Sequence, residues 1–322
     1  MPIPPPATAA RRLAALLVER RQLTPPVPVR ELLQERAQVE AATWPQEDVD
    51  AVVVGLGQRR PDVFYRLTGN SLRTRFTLAH ELGHVVIPWH LGSADCSPGT
   101  GVLDLGVYGQ EEQADVFASC LLLPDRWLLH LLRGSPDDMT TVLESLEIAE
   151  VTTRAALLAL RRVLLAGWAF VAYQGDFIVS SAGTRISPSV RAPQLARVAA
   201  DSGRARLNGY SVNWYRLAPP AELPPIDLDT RTTTQLLQDA IALHVADDAE
   251  RVRLMQRVNG RVGGVLREAG GRPALETFAT LKYSMSNSED VGLLEEPEFV
   301  TWLARKARDI ETGNTKKTQR RR

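Results

Sequence analysis

Cysteine is nearly missing from this chain, with 2 in 322 residues. That excludes a disulfide-stapled scaffold and points to a reducing cytoplasm. No secretory h-region opens the sequence, and no apolar run is long enough to span a bilayer, which argues against export and membrane insertion. Net charge is missing too: 38 basic residues balance 38 acidic ones, so nothing in the overall electrostatics calls for nucleic acid. Histidine is scarce at 5, and its distribution is uneven. His80, His84 and His90 lie together, with only His130 and His244 elsewhere. At 35.5 kDa and 44% hydrophobic, the chain has material for a substantial core and for two domains.

The clustered histidines belong to His80-Glu81-Leu82-Gly83-His84. On a helix this spacing puts two imidazoles one turn apart, with Glu81 beside them. That supplies two zinc ligands and a general base, the minimum for metal-assisted peptide hydrolysis. A structural metal site, or two surface histidines on an amphipathic helix, is the plainer reading of a five-residue pattern. The neighbours argue against it: Leu78, Ala79, Leu82, Val85 and Val86 fall at helical spacing and set the histidines beside a core.

A third ligand is needed, and two residues compete for the place. His90 stands where the extended metzincin pattern puts its last histidine, although that pattern's glycine is replaced by Ile87, followed by Pro88. Glu111 opens a second amphipathic run in which Ala114, Phe117, Ala118 and Leu121 repeat at helical spacing up to Pro124. Asp115 shares its face and is suited to accept the far N–H of a ligating histidine. Glu112 lies about 100° around the helix and suits the role less. Acidic residues placed at a helix start for the dipole's sake are the alternative.

Arg73-Thr74-Arg75-Phe76-Thr77-Leu78-Ala79-His80-Glu81-Leu82-Gly83-His84, followed by Glu111-x-x-Ala114-Asp115-x-Phe117-Ala118 and Leu121-Leu122-Leu123-Pro124, resembles the ImmA/IrrE family of bacterial metallopeptidases over about the first half of the chain. The resemblance implies that Glu111 is the third Zn2+ ligand and that Asp115 stands where the family more often has Asn. It also implies the substrate: a helix-turn-helix transcriptional repressor, whose cleavage releases stress-response, mobile-element or phage-defence genes.

Other residues carry secondary expectations. Cys96, between the ligand segments, is a candidate latency ligand for the open metal position; Cys120 is a small core residue. Residues 62–68 alternate as a strand and would offer a peptide-docking edge if unpaired on one side. Arg73 and Arg75 either steer an acidic substrate or serve packing. Tyr65 and Tyr108 are candidate oxyanion donors.

The expected architecture is α+β. It starts with an N-terminal helix (1–23) and a zincin-like peptidase domain with a helical extension (24–166). A mixed α/β C-terminal sensor or substrate-docking domain (167–312) and a disordered basic tail (313–322) follow. Helices are expected at 7–22, 127–132, 138–146 and 152–165, the last pair offering a helix-turn-helix unit (137–165) or simple packing. Strands are expected at 49–56, 168–173, 177–180 and 210–217. Four helices fill 232–244, 249–268, 273–285 and 296–310, with Gly260, Gly263 and Gly264 able to bend the second. The resemblance of the first half implies a GAF-like sensor in the second, and with it a DNA or nucleotide activating signal.

Overall fold

The computed structural model describes residues 6–43, 49–67, 69–96, 105–135, 138–187, 189–218, 221–226, 229–269 and 272–312. The basic tail lies outside them, as do the side chains of Cys96 and Tyr108, so the latency expectation falls outside the described residues. The chain forms two compact units, residues 1–163 with 204–212, and 164–203 with 213–322. Both mix helix and sheet, so the fold is α+β. No helix among the described residues is long and apolar enough to cross a membrane.

In the first unit, α1 (Pro6–Arg21) is an integral part, packed on α4 (Leu105–Leu122). Then α2 (Val29–Gln34) buries Val29, Leu32 and Leu33 and packs on α3 (Ser71–Val86). Four strands, β1 (Gln38–Ala41), β2 (Ala51–Leu56), β3 (Asp62–Tyr65) and β4 (Gly92–Cys96), make a sheet of order β1-β3-β2-β4. β2 buries Ala51, Val53 and Leu56, and Val53 pairs with Val63 of β3, whose own side chain is buried. β3 therefore sits inside the sheet, parallel to β1 and antiparallel to β2. The strand expected in this stretch forms as β3, but the condition for a docking edge is not met: both of its flanks are hydrogen-bonded, and β4, paired only with β2 among the described residues, forms one border.

After α4 come α5 (Asp125–Gly134), α6 (Met139–Ser145) and α7 (Thr153–Val163). α5 packs on both α6 and α7. α7 buries Ala156, Leu157, Ala159 and Leu160, and its Arg162 bonds the Asp125 carboxylate, the Ser119 hydroxyl and the Leu123 carbonyl.

A second sheet, of order β6-β5-β8-β7, is made of β5 (Trp168–Ala172), β6 (Phe177–Ser180), β7 (Asp201–Leu207) and β8 (Tyr210–Arg216), with a short α8 (Ala192–Val198) before β7. Residues 204–212, spanning the β7–β8 turn, cluster with the first unit. Within it, Asn208 donates to the Val151 carbonyl and the Thr153 hydroxyl donates to the Leu207 carbonyl. Helices α9 (Thr233–His244), α10 (Asp248–Ala269), α11 (Ala274–Ser286) and α12 (Pro297–Glu311) share a core containing Leu236, Ile241, Phe278, Phe299 and Trp302. Thr232 and Gln235 cap α9 reciprocally. α10 runs through its three glycines as one helix.

Candidate metal centre

Helix α3 starts where Asn70 accepts the Arg73 amide, and it buries Thr77 to His84 without a break. His80 and His84, one turn apart, both present Nε2 to the same place, 3.1 Å from each other. The chain leaves the helix at Ile87 with φ −78°, so no positive φ is needed there, and the absent metzincin glycine has nothing to do.

The carboxylate comes from α4, against which α3 lies very close. A Cβ at Gly83 would stand 3.2 Å from the Ala114 Cα and from the Phe117 ring. A glycine inside a helix costs about 1 kcal/mol relative to alanine, and this one is used to let two backbones approach. Glu111 comes six residues after α4 begins, which removes the helix-start explanation for its charge. Its Oε2 is 3.1 Å from His80 Nε2 and its Oε1 is 3.2 Å from His84 Nε2. Glu112 is exposed and outside this group.

Those separations test whether a metal fits. Ligand bonds of about 2.0–2.1 Å at tetrahedral angles put donor atoms roughly 3.3 Å apart. The three observed spacings of 3.1, 3.1 and 3.2 Å come close to that. His80, His84 and Glu111 form the metal-competent group among the described residues. The far nitrogens are also engaged: His80 Nδ1 lies 2.8 Å from Asp115 Oδ1, and His84 Nδ1 lies 3.0 Å from His90 Nδ1. His90 thus sits behind His84 and not within the donor group. Glu81 is fully buried in the same helix, close enough for its charge to act on His80.

Burial pushes the His80 pKa down, but hydrogen bonds to Asp115 and Glu111 and the charges of Glu81 and Asp115 prevail and raise it to about 10. Burial likewise pushes Glu111 up, yet its bonds to His80 and His84 hold it well below the usual carboxylate range. His90 moves to about 4, driven by burial and then by the charge of His84, against upward pulls from Gln113 and Glu111. In the metal-free protein a proton on His80 therefore balances the carboxylates. Its stabilisation is complete below about pH 6.5 and is lost as pH rises through about 10. A divalent ion must displace that proton. Calorimetry at pH 7.5 in buffers of different ionisation enthalpy should register about one proton released per zinc bound; none released would contradict a protonated His80.

The remaining predicted residues fall into structural roles. Arg73 pairs with Asp50 at 2.7 Å. Arg75 donates to the Val27 carbonyl and pairs with Glu150. Cys120 is buried, and burial raises its thiol pKa. Tyr65 is buried in β3 under the Arg30 guanidinium. Sequence reasoning missed Gly83 and Gln113. A lone glycine inside an uninterrupted helical pattern was the signal for the first. The second left no signal: Gln113 accepts from the Trp89 indole at 2.5 Å and donates to the Gly109 carbonyl, tying the segment after α3 to the ligand helix.

Residues 46–158, a stretch that contains every member of this centre, match the peptidase family M78 model, the IrrE N-terminal-like domain. No curated protein matches the chain.

Proposed function

We propose that this chain, whose residues 46–158 match the IrrE N-terminal-like domain of the M78 metallopeptidases, is a zinc endopeptidase that cuts a helix-turn-helix repressor and so releases stress-response, mobile-element or phage-defence genes. The observation that carries this is the convergence of His80 Nε2, His84 Nε2 and the Glu111 carboxylate, with Glu81 buried in the same helix. A zincin-like arrangement accounts for it: one helix carries two ligands and the base, and a neighbouring helix carries the third ligand. Zinc held there would polarise the scissile carbonyl and acidify water.

The protein's own groups do the rest. Glu81 accepts the proton of the attacking water and returns it to the leaving amine as the C–N bond breaks. Asp115 accepts the His80 Nδ1 proton, which keeps the Nε2 lone pair on the metal side. The second unit, whose described residues contribute nothing to this centre, serves as a sensor or docking module, with DNA or a nucleotide as the activating signal.

Zinc-loaded protein should cut the helix-turn-helix protein encoded beside its gene at one position, yielding two fragments by mass spectrometry. Parallel reactions with single-stranded DNA or nucleotide would expose an activator. Repressor left intact in every reaction, with zinc bound throughout, would favour a non-cutting binding protein instead.

A further inference from the structure

The two ligating histidines lean on different partners. His80 has the exposed carboxylate of Asp115 behind it, whereas His84 has the buried imidazole of His90. Two ring nitrogens 3.0 Å apart share one proton, so one donates and the other accepts. Ligation decides the direction. His84 turns its Nε2 toward His80 and Glu111, and a ligating Nε2 must offer its lone pair. Neutral His84 then carries its proton on Nδ1 and donates it to His90.

We propose that His90 is the positioning residue for His84: a neutral hydrogen-bond acceptor that fixes the tautomer and ring angle of this ligand without touching the metal. The proposal rests on the metal centre described above. The surroundings of His90 suit the task. Its amide donates to the Ile87 carbonyl at 3.1 Å, Ile87 itself is bonded to Gly83 and buried, and the adjacent Trp89 is held by Gln113 of α4. The ring is therefore placed from both ligand helices, with its centroid 4.9 Å from that of His84 and the planes 50° apart. A neutral acceptor also makes electrostatic sense. His84 is 1% exposed and His90 2%, so a further carboxylate there would add the cost of burying a charge, which the exposed Asp115 avoids on the other side.

Full-length wild type, His90→Phe and His90→Asn would be compared for zinc affinity, by competition with a chromogenic chelator, and for thermal midpoint without metal. Phenylalanine keeps a ring and removes the acceptor; asparagine restores an oxygen near the position of Nδ1. The expected result is a loss of about 10–100-fold in affinity for His90→Phe, largely recovered in His90→Asn, with metal-free midpoints close to wild type in both. Long-range 1H–15N spectra of the zinc-loaded wild type should show His84 protonated at Nδ1, and that proton should exchange faster in His90→Phe. Unchanged affinity in His90→Phe would overturn the proposal. Equal weakening in both variants with a fallen metal-free midpoint would make His90 a packing residue, and loss of zinc stoichiometry in both would make it a ligand. Wild type that takes up no zinc would overturn the metal centre itself, whatever the variants do.

Discussion

Glu81→Gln should leave zinc content and folding near wild type and lower the cleavage rate by about 10²–10⁴-fold, the share that a positioned general base contributes. The substitution is nearly isosteric and removes a charge from a fully buried position, so packing gives little reason for collapse. Its electrostatic effect on the ligands is favourable to metal. The Glu81 charge is one of the influences that raise the His80 pKa, and without it His80 gives up its proton more readily. An inactive variant that keeps its zinc therefore separates base catalysis from metal retention. Retention of full activity would remove Glu81 from the mechanism and with it the main argument for a peptidase.

Glu111→Ala should weaken zinc binding by more than about 100-fold, beyond the 10–100-fold range expected for changes behind the ligands, and abolish cleavage. The carboxylate is the part of the donor group that comes from α4, with one oxygen toward each histidine. Without it, His80 and His84 remain as a two-nitrogen site. The clearest measurement is the rise in thermal midpoint on adding zinc: a ligand at 1,000 times its Kd stabilises by about 4 kcal/mol, and that increment should vanish in Glu111→Ala. Glu112→Ala is the control. Exposed and outside the donor group, it should bind zinc like wild type. If Glu112→Ala lost the metal and Glu111→Ala kept it, the ligand assignment would be reversed.

What could be read without coordinates followed from how local each signal is. The two histidines depend only on a helical repeat of four, and Leu78, Leu82 and their neighbours declare that repeat. Helix α4 was legible from Glu111 onward but begins at Leu105, and Gly106 and Gly109, both poor helix formers, lie in the part that was not. The strand at β3 was legible, but whether it lay at an edge depended on a partner that hardly announces itself. β1 is Gln-Val-Glu-Ala, half-buried only at Val39, and it joins β3 in parallel from a distant part of the chain. β7 escaped notice for a similar reason: Asp-Ser-Gly-Arg-Ala-Arg-Leu buries only Ala205 and Leu207, and Gly203 lies under the Trp214 ring where a Cβ would stand 2.7 Å away. No pattern of single residues reveals such pairings.

Gly83 is the position from which the centre's tolerance to change can be judged. It contributes no donor atom, yet the distance between the nitrogen-bearing and oxygen-bearing helices is gauged by the hydrogen that stands in place of its side chain. A methyl group there would act as a shim: it would meet backbone at Ala114, which cannot swing aside as a flexible side chain could, so the two helices would have to part by a few tenths of an ångström. A residue chemically incapable of holding an ion thus sets how near the donors of one helix come to those of the other.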